Sequence, residues 1–161
     1  MPGGNSAEFG FGTAATDEQI AGWDIDIEPD GSGLPEGSAT AADGQAVWDV
    51  WGAPFHGTDG EGTDIAPQLV GGVGSLASDS PVRTVGSYWP YATTLFDYIR
   101  RAMPAAAPQT LSTDEYYGLT AWVLWKNGII EEDFVVDQDS LPKIEMPNVG
   151  GFTSPDPRPD V

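Results

Sequence analysis

One histidine, His56, and no cysteine occur among the 161 residues of this chain. The histidine lies in a glycine-rich stretch, residues 44–62, which reads GQAVWDVWGAPFHGTDGEG. Without cysteine there are no disulfides and no thiolate ligands for zinc or for iron–sulfur clusters. The fold must therefore rest on an apolar core, or on a ligand held without thiolates, and any imidazole ligand must be His56.

The residues around His56 match a haem-attachment sequence in everything except its thiols. Covalent c-type haem needs Cys-x-x-Cys-His, because two thiols form thioethers to the porphyrin and the imidazole binds iron. Gly52 and Phe55 stand at the two cysteine positions, and His56 stands at the ligand position. Covalent attachment is thus excluded, whereas non-covalent haem binding through the imidazole stays open.

The charge of the chain limits its partners. There are 25 acidic and 6 basic residues, a formal net charge of −19. Such a field repels nucleic acid and anionic membrane surfaces and steers cationic partners toward the protein. Adaptation to high salt or a need for solubility explains the same composition equally well. A hydrophobic content of 40% with six tryptophans nevertheless predicts a folded protein rather than a disordered acidic chain.

Three amphipathic helices are predicted. The first covers about residues 40–51, and the second begins near Pro90, a residue suited to a helix N-terminus. The third begins with the capping box of residues 112–115 (STDE), continues with apolar residues at helical spacing, and ends at Asn127 and Gly128. Residues 52–89 are rich in glycine, which favours a loop wrapped around something over a regular sheet.

These elements predict an all-α fold, a small helical domain with long irregular N- and C-terminal extensions. We expect an N-terminal wrapping extension at residues 1–39, the helical domain at 40–130, and an acidic, proline-rich C-terminal extension at 131–161. No apolar run approaches the roughly 18 residues that a membrane-spanning helix needs. No signal peptide is recognisable at the start of this sequence.

The helical domain resembles a class I cytochrome c. Gly44, Trp48, Gly52 and His56 follow the spacing of that family's first helix and haem loop. The resemblance implies that the carbonyl of the proline in residues 66–69 (APQL) orients the proximal imidazole, that the leucine packs on the porphyrin, and that a methionine after the second helix is the distal ligand. It also implies that aromatic residues of the last helix pack against Trp48; these are Tyr116, Tyr117 and Trp122.

Within that class the chain is most similar to the cytochrome subunits of sulfur and sulfite dehydrogenases. The similarity lies in residues 9–13, 23–26, 97–104, 139–143 and 146–148, so it extends over most of the chain. It implies a periplasmic protein whose redox partner is a molybdenum sulfur or sulfite dehydrogenase subunit, or a larger electron-transfer complex. The cofactor-binding residues it implies are Gly52, Phe55, His56, Pro67, Leu69 and Met103, with His56 and Met103 as the metal ligands.

Two functions are therefore open. In the first, the chain is an electron carrier that binds haem non-covalently between His56 and Met103. In the second, it is a haem-free structural or interaction subunit that keeps the fold within a larger assembly, with Trp51 and Phe55 filling the space of the haem. The pattern favours a carrier or accessory subunit over a catalyst, although iron would gain an open position for peroxide chemistry if Met103 moved away.

Overall fold

The structure is a computed structural model and describes residues 12–153. Part of the similarity noted at residues 9–13, and the two ends of the predicted extensions (1–11 and 154–161), lie outside the described residues. The helices are α1 (Asp17–Ala21), α2 (Ala41–Val47), α3 (Ala53–His56), α4 (Val85–Tyr88), α5 (Ala92–Ala102) and α6 (Thr113–Lys126). A π-helical turn, Trp48–Gly52, joins α2 to α3, and a 3-10 turn covers Leu141–Lys143.

The described part of the chain is mostly helical. It also contains one antiparallel pair of two-residue strands, β1 (Ser38–Ala39) and β2 (Val136–Asp137), which the prediction of an all-α fold did not include. The pair joins the two extensions to each other beside the helices. Within the described range, no helix has the length and apolar character required to cross a membrane.

The first predicted helix is longer than expected. Thr40 caps α2 as part of a capping box with Asp43, but the helical path continues through the π turn and α3 to His56 instead of ending near Trp51. Pro54, which has no N–H to donate, falls in the first turn of α3, where that loss costs little. Gly57, with φ of 84°, ends the path, because that backbone conformation strains any other residue.

Helix α6 is the centre of the core, and its predicted bounds are confirmed. Ser112 and Glu115 form the capping box, and Asn127 caps the other end. Every residue from 116 to 124 is buried. Helix α2 crosses α6 so closely that the backbones touch: a Cβ placed on Gly118 would lie 3.0 Å from Cα of Gly44. Glycine at both positions permits this crossing.

Helix α5 packs against α6 with Leu95, Phe96 and Ile99 buried, and it begins two residues after Pro90, close to the expected start. The expectation for the aromatic residues of α6 was only partly correct. Trp122 does stack on Trp48, whereas Tyr116 and Tyr117 pack on Phe96, with ring centroids 6.4 and 4.5 Å apart. Both tyrosines lie in the first half of α6, before Trp122, and their rings contact α5 through Phe96.

Both extensions contact the helical core. On the N-terminal side, Asp26 pairs with Arg101 at 2.5 Å, and the carbonyl of Pro35 accepts a hydrogen bond from the Tyr117 hydroxyl at 2.8 Å. On the C-terminal side, Leu141 and Met146 are buried. Helix α1 differs from these segments because none of its residues is buried.

Candidate functional site

An apolar cavity of about 490 Å³ opens between α3, α5, α6 and the loop that follows α3. Its volume lies within the roughly 300–1,000 Å³ typical of cofactor and small-molecule sites. The six residues expected to bind the cofactor all line it: Gly52, Phe55, His56, Pro67, Leu69 and Met103. Residues far apart in sequence thus meet at one place, although their roles toward a ligand stay predictions.

His56 lies at the end of α3, and its ring orientation is fixed by a hydrogen bond. Nδ1 is 2.8 Å from the carbonyl oxygen of Pro67. A carbonyl only accepts, so Nδ1 carries the proton in this bond and Nε2 is left with its lone pair in the neutral ring. A carbonyl partner of this kind sets the tautomer of a metal-binding histidine.

The loop that carries Pro67 and Leu69 is tied to both α3 and α6. The backbone N–H of Leu69 donates to the carbonyl of Gly60 at 2.8 Å, and the Asn127 side chain donates to the carbonyl of Leu69 at 3.2 Å. The Thr63 hydroxyl donates to the carbonyl of Phe55 at 2.5 Å. These bonds hold the loop against α3 and the end of α6, beside the cavity.

Met103 directly follows α5 and reaches the cavity from a part of the sequence far from His56. Its backbone is extended, and its N–H donates to the carbonyl of Ile99 at 2.9 Å, which ends the helix. The side chain is partly buried against the core and lines the cavity. The thioether and the imidazole are therefore held by two different elements that share one apolar space.

The positions of the two missing thiols differ in their surroundings. Phe55 is partly buried and lines the cavity. Gly52 is buried, and its Cα faces the indole ring of Trp48. The Trp48 ring is stacked on the Trp122 ring, with their centroids 3.8 Å apart, and its centroid lies 6.2 Å from that of the His56 ring.

Comparison with solved structures decides the relationship. A chain in the crystal structure of the sulfane dehydrogenase SoxCD from Paracoccus pantotrophus is 44% identical, with a TM-score of 0.87. The match covers 94% of the present chain and 74% of that chain. The chain belongs to the SoxCD sulfane dehydrogenase family. No protein-family model matches the sequence, and no curated protein matches it.

Sequence reasoning missed one charged residue of this SoxCD-family site. Arg83 lines the cavity, and its guanidinium lies 5.6 Å from the centroid of the Tyr88 ring. Every other charged or titratable residue of the lining is a histidine or a tyrosine. A signal was available, because basic residues are scarce in this chain and an arginine within the glycine-rich region therefore stands out.

No group of three or more His, Cys, Asp or Glu that could hold a metal ion occurs within residues 12–153 of this SoxCD-family chain. The two predicted metal ligands, His56 and Met103, belong to no such group, and haem would not require one because the porphyrin already holds the iron.

Proposed function

We propose that this chain is a cytochrome-like electron-transfer subunit that binds haem non-covalently in the apolar cavity. The observation that carries the proposal is that His56, held by the Pro67 carbonyl at 2.8 Å, shares one cavity with Met103. Kinship with a sulfane dehydrogenase subunit supports it independently. Haem, when bound, supplies a one-electron iron couple.

The side chains that line the cavity are of the kinds that such a cofactor would need. Leu69, Phe55 and their apolar neighbours offer the walls that a porphyrin face requires. The His56 imidazole and the Met103 thioether would hold the iron, and a methionine ligand would raise its reduction potential. Arg83 is placed to pair with a carboxylate at the rim, as a guanidinium does in bidentate geometry.

The chain's own residues then have three tasks. The Pro67 carbonyl keeps the proton on Nδ1, so that Nε2 stays available as a donor. Leu69 and Phe55 would cover the faces of a bound porphyrin and so reduce the access of water to its iron. Met103 and His56, which lie on separate elements joined by the core, would hold the iron of a haem from two sides of the cavity.

The decisive experiment is the visible spectrum of the purified protein, as isolated and after addition of haem, in oxidised and reduced states. We expect a Soret band and a sharp reduced band typical of six-coordinate His/Met haem. His56→Ala should lower haem affinity most, and Met103→Leu should give a five-coordinate spectrum. Met146→Leu is the matched control, since Met146 is buried elsewhere in the core and should leave the spectrum unchanged.

One observation favours the second function, that of a haem-free structural subunit. Residues 116–124 of α6 are buried by the chain's own atoms, so the fold has a basis for stability without a ligand. If no Soret band develops with excess haem while the protein remains folded, the chain is a structural subunit. A band that His56→Ala and Met103→Leu leave unaltered would contradict the axial ligands.

We also infer a partner and a compartment from the family. The partner is a molybdenum-containing dehydrogenase subunit, and the location is the periplasm. Trp23 is 87% exposed and Ile20 49%, and helix α1 buries none of its residues, so this segment offers an apolar surface to a second protein. Trp23→Ser should weaken co-purification with a sulfane dehydrogenase catalytic subunit, and Val73→Ser, an exposed control, should not. Equal retention of the two variants would exclude Trp23 as part of the contact.

A further inference from the structure

The side-chain amide of Asn127 ties the end of α6 to the cavity loop, by which we mean residues 57–71. Its Nδ2 group donates to the carbonyl of Val123 at 2.8 Å and to the carbonyl of Leu69 at 3.2 Å, and its Oδ1 accepts from the N–H of Gly71 at 2.9 Å. These partners fix the orientation of the amide, because a flipped amide would place its oxygen against two carbonyls. One side chain thus holds two backbone positions of the cavity loop.

Helix α4 encloses the same amide. A Cβ on Gly86 would collide with Oδ1 of Asn127 and would lie 2.7 Å from its Cγ, so glycine permits this approach. Helix α4 is also bonded to the cavity loop: the Thr84 hydroxyl donates to the carbonyl of Gly71 at 2.5 Å, and the N–H of Val85 donates at 3.2 Å to the loop carbonyl that Asn127 also reaches. The contacts of the loop with α4 therefore surround the amide and lead back to it.

The held part of the loop lies next to the partner of the imidazole. The carbonyl of Pro67, two residues before Leu69, is the group 2.8 Å from Nδ1 of His56. The N–H of Leu69 is fixed as well, because it donates to the carbonyl of Gly60 at 2.8 Å. Since peptide groups are planar, only the two backbone torsions of Gln68 separate the plane of the Pro67 carbonyl from the plane of that N–H. The direction of the Pro67 carbonyl thus follows the position of Leu69.

We propose that Asn127 is a positioning residue for His56. It fixes the Pro67 carbonyl, and through that carbonyl it keeps the proton of the neutral imidazole on Nδ1. The sequence predicted Asn127 only as the end of α6. The use of the free Nε2 as a ligand for haem rests on the proposed function, whereas the control of the proton by Asn127 does not.

Two substitutions of Asn127 should differ in strength. Asn127→Asp keeps the shape of the side chain but replaces the donor group with an oxygen, which then faces two carbonyl oxygens and repels the loop. Asn127→Ala removes the three hydrogen bonds without repulsion, and α4 still holds the loop at Gly71. We therefore expect the aspartate variant to have the larger effect on the imidazole.

The first test needs no haem. Nitrogen-15 NMR of the apoprotein, at a pH where the ring is neutral, reports the tautomer, and His56 is the single histidine of the chain. The form with the proton on Nδ1 should dominate in the wild type. Its ratio to the form with the proton on Nε2 should fall about fivefold in Asn127→Asp, as loss of one hydrogen bond predicts, and less in Asn127→Ala. An unchanged ratio in Asn127→Asp overturns the proposal, as does a wild type with its proton on Nε2.

Two controls separate positioning from stability. Asn148→Ala removes an amide that donates to the carbonyl of Tyr88 at 2.6 Å, outside the cavity loop, and should leave the ratio unchanged. Leu141→Ala removes a fully buried side chain and should lower the urea midpoint, again without a change in the ratio. A ratio that simply follows the urea midpoint through all variants contradicts a positioning role. If Asn127→Asp does not fold, the same criteria apply to Asn127→Ala.

The second test adds haem to the same proteins. Asn127→Asp should bind haem several-fold more weakly than the wild type, because Nε2 then carries the proton in a larger share of the molecules, and Asn148→Ala should bind it normally. If the tautomer responds but no protein binds haem, the proposed function is wrong and the positioning role of Asn127 stands. Equal haem affinity in all three proteins, with a tautomer that responds, contradicts ligation by His56 and likewise leaves the positioning role intact.

Discussion

Trp48 separates two regions of opposite construction. On one side, which we term the closed side, α2 and α6 cross with Gly44 and Gly118 in backbone contact, and Trp122 and Leu124 are fully buried. On the other side, which we term the cavity side, residues that are also apolar surround a volume of about 490 Å³. The closed side is completed by the chain's own atoms. The cavity side presents its apolar groups to a space large enough for another molecule.

The contrast predicts that the replacement of leucine by alanine has different effects on stability on the two sides. Leu124→Ala removes a fully buried side chain from the closed side and should lower the free energy of unfolding by about 2–5 kcal/mol. Leu69→Ala on the cavity side should cost about 1 kcal/mol or less, since that side chain already borders open volume. Urea denaturation of the apoprotein measures both. Equal losses of unfolding free energy would mean that the two regions are built alike. With haem present, the difference between the two losses should become smaller.

The next largest effect concerns the helix crossing. Gly44→Ala places a methyl group against the backbone of Gly118, which cannot rotate away, and should cost about 1–3 kcal/mol. Gly22→Ala is the matched control, because a Cβ there meets nothing closer than 3.6 Å and φ is an ordinary −70°. That variant should be neutral or slightly stabilising. Similar midpoints for the two variants would show that the crossing tolerates a side chain.

The closed side also contains a group that makes the stability of the fold depend on pH. Burial raises the pKa of the Tyr117 hydroxyl to about 12, from an ordinary value near 10. Folding therefore favours the neutral phenol, and this contribution is complete below pH 10 and is lost as pH rises toward 12. By pH 11 the loss should be about 1.4 kcal/mol of unfolding free energy.

Tyr117→Phe tests this assignment. The variant should lose the hydrogen bond to the Pro35 carbonyl, which costs about 1 kcal/mol of unfolding free energy at neutral pH. Its unfolding free energy should then decline less steeply than that of the wild type between pH 10 and 11. Tyr98→Phe, on a half-exposed residue, should keep the full decline. Parallel pH profiles for the wild type and Tyr117→Phe would show that other groups cause the alkaline loss.

The sequence was informative where local signals and long-range packing agree. The capping box at Ser112 and Glu115 predicted the start of α6, because it satisfies backbone N–H groups whatever lies nearby. The family resemblance brought His56, Pro67 and Met103 together as candidates, and the structure places all three on one cavity.

Other features depended on contacts that no local pattern encodes. The path through α2 and α3 continued past Trp51 because the π turn absorbs an extra residue, and that turn has no sequence signal of its own. Tyr117 faces Phe96 for a similar reason: the choice between α2 and α5 as its neighbour is made by the packing of three helices. Arg83 reached the cavity through a loop whose course only the folded chain defines.

The smallest expected effect lies at the rim of the cavity, where stability and ligand binding should separate. Ile65 lines the cavity yet is 75% exposed, so Ile65→Ser should change the stability of the apoprotein by no more than about 0.5 kcal/mol. Haem affinity should fall several-fold, because a bound porphyrin would cover this side chain. Val73→Ser, also exposed but outside the lining, should alter neither quantity. A loss of stability without a loss of affinity would place Ile65 with the closed side, as part of the fold and not of a ligand contact.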